Sequence, residues 1–442
     1  MVQFFKQSKP KLAPQAPLDV TIAEVNSHGI GVTRHQGKPL FVPAALKGER
    51  VQVRIEQQNA KYQTARLLKV LTPTASRAQP FCPYINDCGG CSLQHMAVNE
   101  QRALKARTLT QLFSRQGIND LPEPEWLTHS VNQGYRRVAR LAIRLQGKGV
   151  ALGFRRSQSH QLVEIDHCGV LRPALSLLIA PLRTLLNQLK ATKQLGHIEL
   201  YEAAEGVAIL LRHTASLAAT DLELLLSFAQ SRELALFLQD DNSRRPLHVP
   251  FSLYYQIDNI KVSFTPGDFI QINGPLNSQL VAKAQDWLAP APEHAILDLF
   301  CGVGNFSLPL AAAGHSVIGV EGVMEMVEQA RGNAEDNELS HARYYRGDLA
   351  ADFTQEPWAQ QGFERVLLDP GRAGAEQVMP YLCQLAPERL LYVSCNPVTL
   401  ARDSQPLLAA GYKLTRLCLI DMFPHTVHCE AMALFELDSV KG

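Results

Sequence analysis

The sequence predicts a multidomain α/β protein: an N-terminal OB-like β-barrel, a central β-rich domain with a cysteine motif, and a C-terminal Rossmann-like sheet. Three observations predict it. Five short strand-like runs with glycine-containing turns crowd residues 18–68. A run of period-two patterning begins near Gln133. From about Pro266 onward, apolar strand-like runs alternate with helical stretches, which is the pattern of a doubly wound parallel sheet.

At the N-terminus, residues 1–17 are rich in Lys, Pro and Gln and read as a flexible arm. The barrel runs are 20–25, 27–32, 38–42, 49–55 and 62–68. The chain of 442 residues has a formal charge of only +1, which hides an asymmetry: residues 1–80 carry +8, leaving −7 for the rest. A basic barrel suits a polyanion such as single-stranded nucleic acid. A 46% hydrophobic content with 19% charged residues describes an ordinary soluble protein with ample core. There is no run of eighteen apolar residues and no signal-peptide stretch after Met1, so no membrane partner is expected and the cytoplasm is the expected location.

Residues 99–116 read as a helix. In the run Tyr135–Leu145, Arg136, Arg140 and Arg144 share one face with Val138 and Ala142. Ala139, Leu141, Ile143 and Leu145 share the other. A strand with a guanidinium face suits phosphate contact. The boundaries these patterns give are 1–75 for arm and barrel, 76–265 for the cysteine segment and central domain, and 266–442 for the catalytic domain.

Nine cysteines in a cytosolic protein favour thiol or metal chemistry over disulfides. Cys82, Cys88 and Cys91 give C-x5-C-x2-C, and Cys168 offers a fourth thiolate. Four thiolates suit zinc or a four-iron cluster, and spacing alone does not choose between them. Cys301, Cys383 and Cys418 read as packing or loop residues.

The C-terminal sheet carries the chemistry. Ile296–Phe300 is a buried-strand run, Cys301-Gly302-Val303-Gly304-Asn305 turns the chain, and Phe306–Ala312 opens a helix. Glycines there let backbone approach a ligand closely. A dinucleotide loop wants a third glycine where Ser307 stands, and Asp298 would repel a pyrophosphate. An acid at that place suits a cationic cofactor such as S-adenosyl-L-methionine. Glu321 ends the next strand, where a carboxylate can accept two ribose hydroxyls.

Asp369, in Asp369-Pro370-Gly371-Arg372-Ala373-Gly374, ends a third strand, and Cys395, in Ser394-Cys395-Asn396-Pro397, ends a fourth. Ligands bind beyond the carboxyl ends of strands in such sheets, so these ends converge on one crevice. C5 of uracil is a poor nucleophile toward a methylsulfonium. A thiolate adding to C6 makes an enolate with carbanion character at C5, and a base must afterwards remove the C5 proton. Cys395 and Glu430 fit those roles. Cys429 is a rival thiol, but neighbours on a strand face opposite ways, so it reads as buried.

With these residues in place, the chain resembles the bacterial RNA uracil-C5 methyltransferases. Ser394–Asp403 matches that family's nucleophile segment, and Phe423–Glu430 resembles its base segment. The resemblance implies Cys395 as nucleophile and Glu430 as general base. It implies cofactor contacts at Gln271, Phe300, Asn305, Glu321, Asp348 and Asp369. It also implies a [4Fe-4S] cluster on Cys82, Cys88, Cys91 and Cys168, and a barrel similar to the TRAM domain. The pairing of barrel and cysteine motif most resembles the branch acting on a uridine of 23S rRNA. A monomer is expected. Two other readings compete. RNA cytosine-C5 methyltransferases place Pro-Cys after the third strand's acid, where this chain has Pro370-Gly371. An RNA-binding iron–sulfur protein without catalysis would not need Asp298, Glu321, Cys395 and Glu430 together.

Overall fold

The structure is a computed structural model and describes residues 16–437 except 148, 158 and 242. The expected N-terminal arm lies outside the described residues up to position 15. The chain forms two compact units. The first comprises Met1–Ile85, Cys91–Thr108 and His425–Val427, and the second Asn86–Gly90, Leu109–Pro424 and His428–Gly442.

The first unit holds six strands: β1 (Leu18–Thr21), β2 (Glu24–Val25), β3 (Gly31–His35), β4 (Lys38–Val42), β5 (Arg50–Gln58) and β6 (Gln63–Thr72). Their order is β1-β5-β6-β4-β3-β2. The sequence suggested five strands because residues 20–25 read as one run. The chain breaks there because it changes partner. Ile22 donates its N–H to Glu49 O at 2.9 Å, on the β5 side, and Ala23 donates to Val32 O of β3 at 3.0 Å. That corner lets one sheet curl around a core of Ile22, Leu40, Val42, Val51, Val53 and Ile55. Glu49 is buried below the core and is held by a fork of hydrogen bonds from Arg77, Nη2 to Oε2 at 2.7 Å. Burial would raise its pKa, but the Arg77 bonds and charge hold it below the usual carboxylate value. His95, beside the same arginine, is pushed down to about 4 by burial and by that charge.

The second unit holds two large sheets. After β7 (Glu125–Leu127) come β8 (Val138–Gln146), β9 (Gly149–Arg155), β10 (Leu162–Glu164), β11 (Leu195–Glu202), β12 (Val207–His213), β13 (Ala235–Gln239) and β14 (Arg244–His248). They form a central sheet in the order β10-β9-β8-β11-β12-β13-β14. The alternation on β8 holds: Ala139, Leu141 and Ile143 are buried, while Arg140 and Arg144 are exposed. Leu145 departs from it, because the strand runs out of core before its end.

The iron–sulfur part of the fold-class expectation is overturned. Among the described residues, no group of three or more His, Cys, Asp or Glu side chains is placed to hold a metal ion. Cys88 sits in a turn whose Gly90 N–H points at its own Sγ at 3.4 Å, and Gly89 donates to Arg155 O at 2.9 Å. Sequence spacing measures chain length between thiols, and it does not say where they point.

A hairpin of β15 (Tyr254–Ile257) and β16 (Ile260–Ser263) leads into the catalytic sheet. The hairpin is a sheet of its own, and the catalytic sheet consists of β7 with β17 (Ala295–Leu299), β18 (Ser316–Glu321), β19 (Ala342–Arg346), β20 (Arg365–Leu368), β21 (Arg389–Ser394), β22 (Tyr412–Ile420) and β23 (Glu430–Leu437). The order is β19-β18-β17-β20-β21-β23-β22-β7, with β17 to β21 parallel and β23 antiparallel to both neighbours. Strand order reverses between β17 and β20, the switch point where such sheets open a crevice. β17, β20 and β21 are buried on both faces, as parallel strands between helices must be. Among the described residues, no helix is long and apolar enough to cross a membrane.

Candidate active site

The site is built at the carboxyl ends of β17, β18, β20 and β21 and at the start of β23, all in the second unit. After β17 the chain turns through Phe300 (φ 61°), Gly302 (φ 57°) and Gly304 (φ 101°). The two glycines take left-handed backbone without cost, whereas Phe300 carries strain of the kind that gathers at functional sites. The turn's amides are aimed. Gly302 N–H donates to Glu321 Oε2 at 3.3 Å, and Val323 N–H donates to Oε1 at 3.0 Å. The Glu321 carboxylate is thereby fixed before any ligand arrives.

The predicted cofactor residues fall into three groups. Phe300, Glu321 and Asp348 line one open cleft of about 630 Å³, with Arg346 and Ala350. Asp348 follows β19, and its Oδ1 accepts from Ala350 N–H at 3.0 Å. Asn305 exchanges amide hydrogen bonds with Asn277 (2.8 and 3.1 Å) and accepts from Tyr255 Oη at 3.0 Å. Gln271 is buried and donates through Nε2 to Asp369 Oδ2 at 3.3 Å. Asp298 is near enough to Asp369 and to Glu321 to feel both charges. It is fully buried in β17, and neither carboxylate oxygen has a hydrogen-bond partner. Ser307 approaches without meeting hydrogen-bond geometry. Burial pushes Asp298 up to about 8, and the charges of Asp369 and Glu321 add to that. Orphaned buried carboxyl oxygens at a strand end fit a cationic ligand, which would return the counter-charge they lack.

Cys395 follows β21 directly and Glu430 opens β23. The two strands pair antiparallel, and their last pair is Ser394 opposite Ala431. Cys395 and Glu430 are each one residue beyond that pair, close enough for the Glu430 charge to act on the thiol. Cys395 is half-buried. Burial, then the charges of Glu430 and Asp369, raise its thiol to about 11, while Arg372 pulls the other way. Glu430 is 3% exposed, its Oε2 has no partner, and burial followed by the Asp369 charge raises it to about 8. Burial raises Asp369 to about 7, against the Gln271 amide. Cys429 is buried.

The turn after Cys395 is braced on both sides. Asn396 caps the helix Pro397–Ala409 by accepting from Val398 N–H at 3.2 Å, and its Nδ2 donates to Arg372 O at 2.9 Å. Pro397 at the first helical position needs no partner for a missing N–H. Buried Asp403 accepts from Tyr392 Oη and from Ala375 N–H, both at 2.7 Å, tying strand, helix and the 369–375 loop together. Gly374 (φ 79°) lets that loop pass, since a Cβ there would lie 2.6 Å from Asp403 Oδ2.

Sequence reasoning missed several supports. Arg137 is buried, stacks 4.3 Å over the Tyr255 ring and donates through Nε to Gln271 O at 2.6 Å. Strand parity was its only signal, because it puts Arg137 on the apolar face. Tyr255 and Asn277 had no signal, since each meets Asn305 across a long stretch of chain.

This geometry has close relatives. The family described as tRNA (Uracil-5-)-methyltransferase matches residues 176–437, and the TRAM domain matches residues 17–68. The chain belongs to the tRNA (uracil-5-)-methyltransferase family. At the level of particular proteins it is similar to the 23S rRNA (uracil(1939)-C(5))-methyltransferase RlmD of Aeromonas salmonicida. The two are 48% identical over 439 residues, covering 99% of this chain and 100% of the relative. Relatives of the same name from Tolumonas auensis and Shewanella sediminis are 48% and 44% identical, again over 99% of this chain and 100% of theirs. Among solved structures, the Pyrococcus abyssi tRNA (uracil-54, C5)-methyltransferase in complex with S-adenosyl-L-homocysteine superposes with a TM-score of 0.74. It is 24% identical and covers 95% of this chain and 100% of that one, a likeness of fold.

Proposed function

We infer that this chain transfers the methyl group of S-adenosyl-L-methionine to C5 of a uridine in 23S rRNA, giving 5-methyluridine. The observation that supports the reading is the nearness of Cys395, just past β21, to Glu430, at the start of the neighbouring β23, in a chain of this family. Full-length similarity to relatives named for 23S rRNA favours that RNA over tRNA.

S-adenosyl-L-methionine supplies an electrophilic methyl group on a sulfonium. Gln271, Phe300, Asn305, Glu321, Asp348 and Asp369 would hold it, and the buried Asp298 carboxyl would offset its charge. Cys395 adds to C6 of the uracil, which moves electron density to C5. After C5 is methylated, Glu430 removes its proton, the C5–C6 double bond re-forms and the thiolate leaves. The 266–442 segment carries this chemistry, and the enzyme works as a monomer in the cytoplasm. The site residues all come from one unit of one chain, which supports that reading.

The RNA is bound by the other segments. The target uridine must leave its stack to meet Cys395, so binding has to offset a few kcal/mol of unstacking. The barrel with its arm (1–75) and the arginine face of the central segment (76–265) supply phosphate contacts. Arg140, with 66% of its side chain exposed although it pairs with Glu199, and Arg144, exposed although it donates to His160 O, face solvent for this role. Deleting residues 1–75 is expected to weaken RNA binding and to flatten its salt dependence. Each lost phosphate contact lowers the slope of log K against log salt by about 0.7 for single strands. Affinity for S-adenosyl-L-methionine should hold, since its residues lie in the catalytic sheet. An unchanged salt slope would leave the basic barrel as a solvated surface only.

The function itself is tested by tritium release. With 23S rRNA tritiated at uridine C5, one tritium should enter water per methyl transferred. Release from C5-tritiated cytidine instead would select the cytosine-C5 alternative. No release from either would select RNA binding without catalysis.

A further inference from the structure

Gln271 sits at the end of a loop, 264–273, that joins β16 to the helix Gly274–Leu288. A connection of this length would ordinarily be mobile. Two side chains of the central sheet clamp it. Arg244, on β14, donates through Nη1 to Pro266 O at 2.8 Å and to Asp268 Oδ1 at 3.0 Å. The Asp268 side chain is 8% exposed, so this ion pair is largely shielded from solvent. The other oxygen of Asp268 accepts from Thr265 N–H at 2.8 Å and closes the turn. Tyr201, on β11 and 2% exposed, accepts at its hydroxyl from Gly267 N–H at 2.9 Å and donates to Glu199. Gly267 has φ 111°, and a Cβ there would lie 2.5 Å from Arg244 Nη1. Glycine is what lets the guanidinium close on the loop.

We propose that Arg244 and Tyr201 are positioning residues for methyl transfer. They lie outside the catalytic sheet, touch no reacting atom, and hold the 265–271 loop so that Gln271 meets Asp369. The proposal rests on the reading of Gln271 and Asp369 as site residues. The clamp ties the central sheet to a loop of the same unit that ends at Gln271, so the central sheet does more than bind RNA: it sets the geometry of the reaction site. Misplacing a site group by about 1 Å can cost a hundredfold in rate, so a loosened loop should show in the chemical step.

The test uses the full chain and two readouts. Amide hydrogen exchange at Thr265, Gly267 and Asp268 reads the clamp without any RNA. Single-turnover methylation at saturating RNA and S-adenosyl-L-methionine reads its consequence. Arg244→Ala and Tyr201→Phe should each speed exchange at these amides at least about tenfold and slow the chemical step about tenfold. The RNA Kd should stay within about twofold and the thermal midpoint should be retained. Arg244→Lys should recover part of both effects, since an ammonium reaches one of the two acceptors as a point charge. Unchanged exchange, or faster exchange with an unchanged chemical step, overturns the proposal. So does a rate loss that merely follows the fraction of unfolded protein. If the wild-type chain methylates no uridine, the functional reading fails and takes the catalytic half of this proposal with it, and exchange alone decides whether the clamp exists.

Discussion

Cys395→Ala is expected to lower methyl transfer by about four orders of magnitude or more, the scale seen when a nucleophile is removed from a group that acts as a unit. The two other thiols near these strand ends, Cys301 and Cys429, are both buried, whereas Cys395 is half-buried. The variant should fold, because Cys395 lies past the end of β21, and Ser394 and Asn396 still exchange their local hydrogen bonds. Binding of S-adenosyl-L-methionine checks that. The decisive measurement is an adduct on a denaturing gel with RNA carrying 5-fluorouridine at the target. Fluorine at C5 cannot leave as a proton does, so the wild-type chain should be trapped covalently after methylation, and Cys395→Ala should form no adduct. A trapped peptide containing Cys429 instead would falsify the assignment of the nucleophile.

Strands β17, β18, β20, β21 and β23 were legible because each is a short apolar run, buried on both faces or nearly so. β19 was not, since Ala-Arg-Tyr-Tyr-Arg at a sheet edge has only Tyr344 fully buried. β7 was not, since its three residues are a strand only through parallel pairing of Glu125 with Cys418, almost three hundred residues away. Glu125 is then fixed by Lys283 and Arg416, a contact set no local pattern encodes.

The same distinction runs through the site. Cys395 and Glu430 were visible because each borders a strand, one just past β21 and one opening β23, in a run whose chemistry is unusual. The groups that hold them are ordinary residues made special by distant partners: Arg137 by Gln271, Asn277 by Asn305, Gly267 by Arg244. The four-cysteine pattern failed for the complementary reason. Its spacing is local and specific, but a ligand set is a statement about side-chain convergence in space, and among the described residues no such set is placed to hold a metal.

Glu430→Gln separates the two halves of the reaction. The amide keeps the shape of the carboxyl but cannot take the C5 proton, so methylation should proceed and release should stall. With ordinary uridine RNA and radiolabelled methyl donor, the variant is expected to accumulate a labelled covalent adduct that the wild-type chain shows only fleetingly. The pH profile supplies an independent check. Burial, then the Asp369 charge, raises Glu430 to about 8, so in the unliganded protein the basic carboxylate form grows as pH rises through that value. Product release by the wild type should rise with pH over that range, and adduct decay in the variant should not. Stability should move the opposite way. The folded pKa lies above the ordinary carboxylate value of 4.5, so the protonated side chain's contribution is complete below about pH 4.5 and is lost as pH rises through about 8. The neutral amide of the variant has no charge to desolvate, so the melting temperature of Glu430→Gln relative to wild type should climb between pH 5 and pH 8 on a scale of about 1 °C or more. Rapid turnover by Glu430→Gln without adduct would remove the general-base role. A melting difference flat in pH would mean that Glu430 titrates at an ordinary value and is more hydrated than its burial implies.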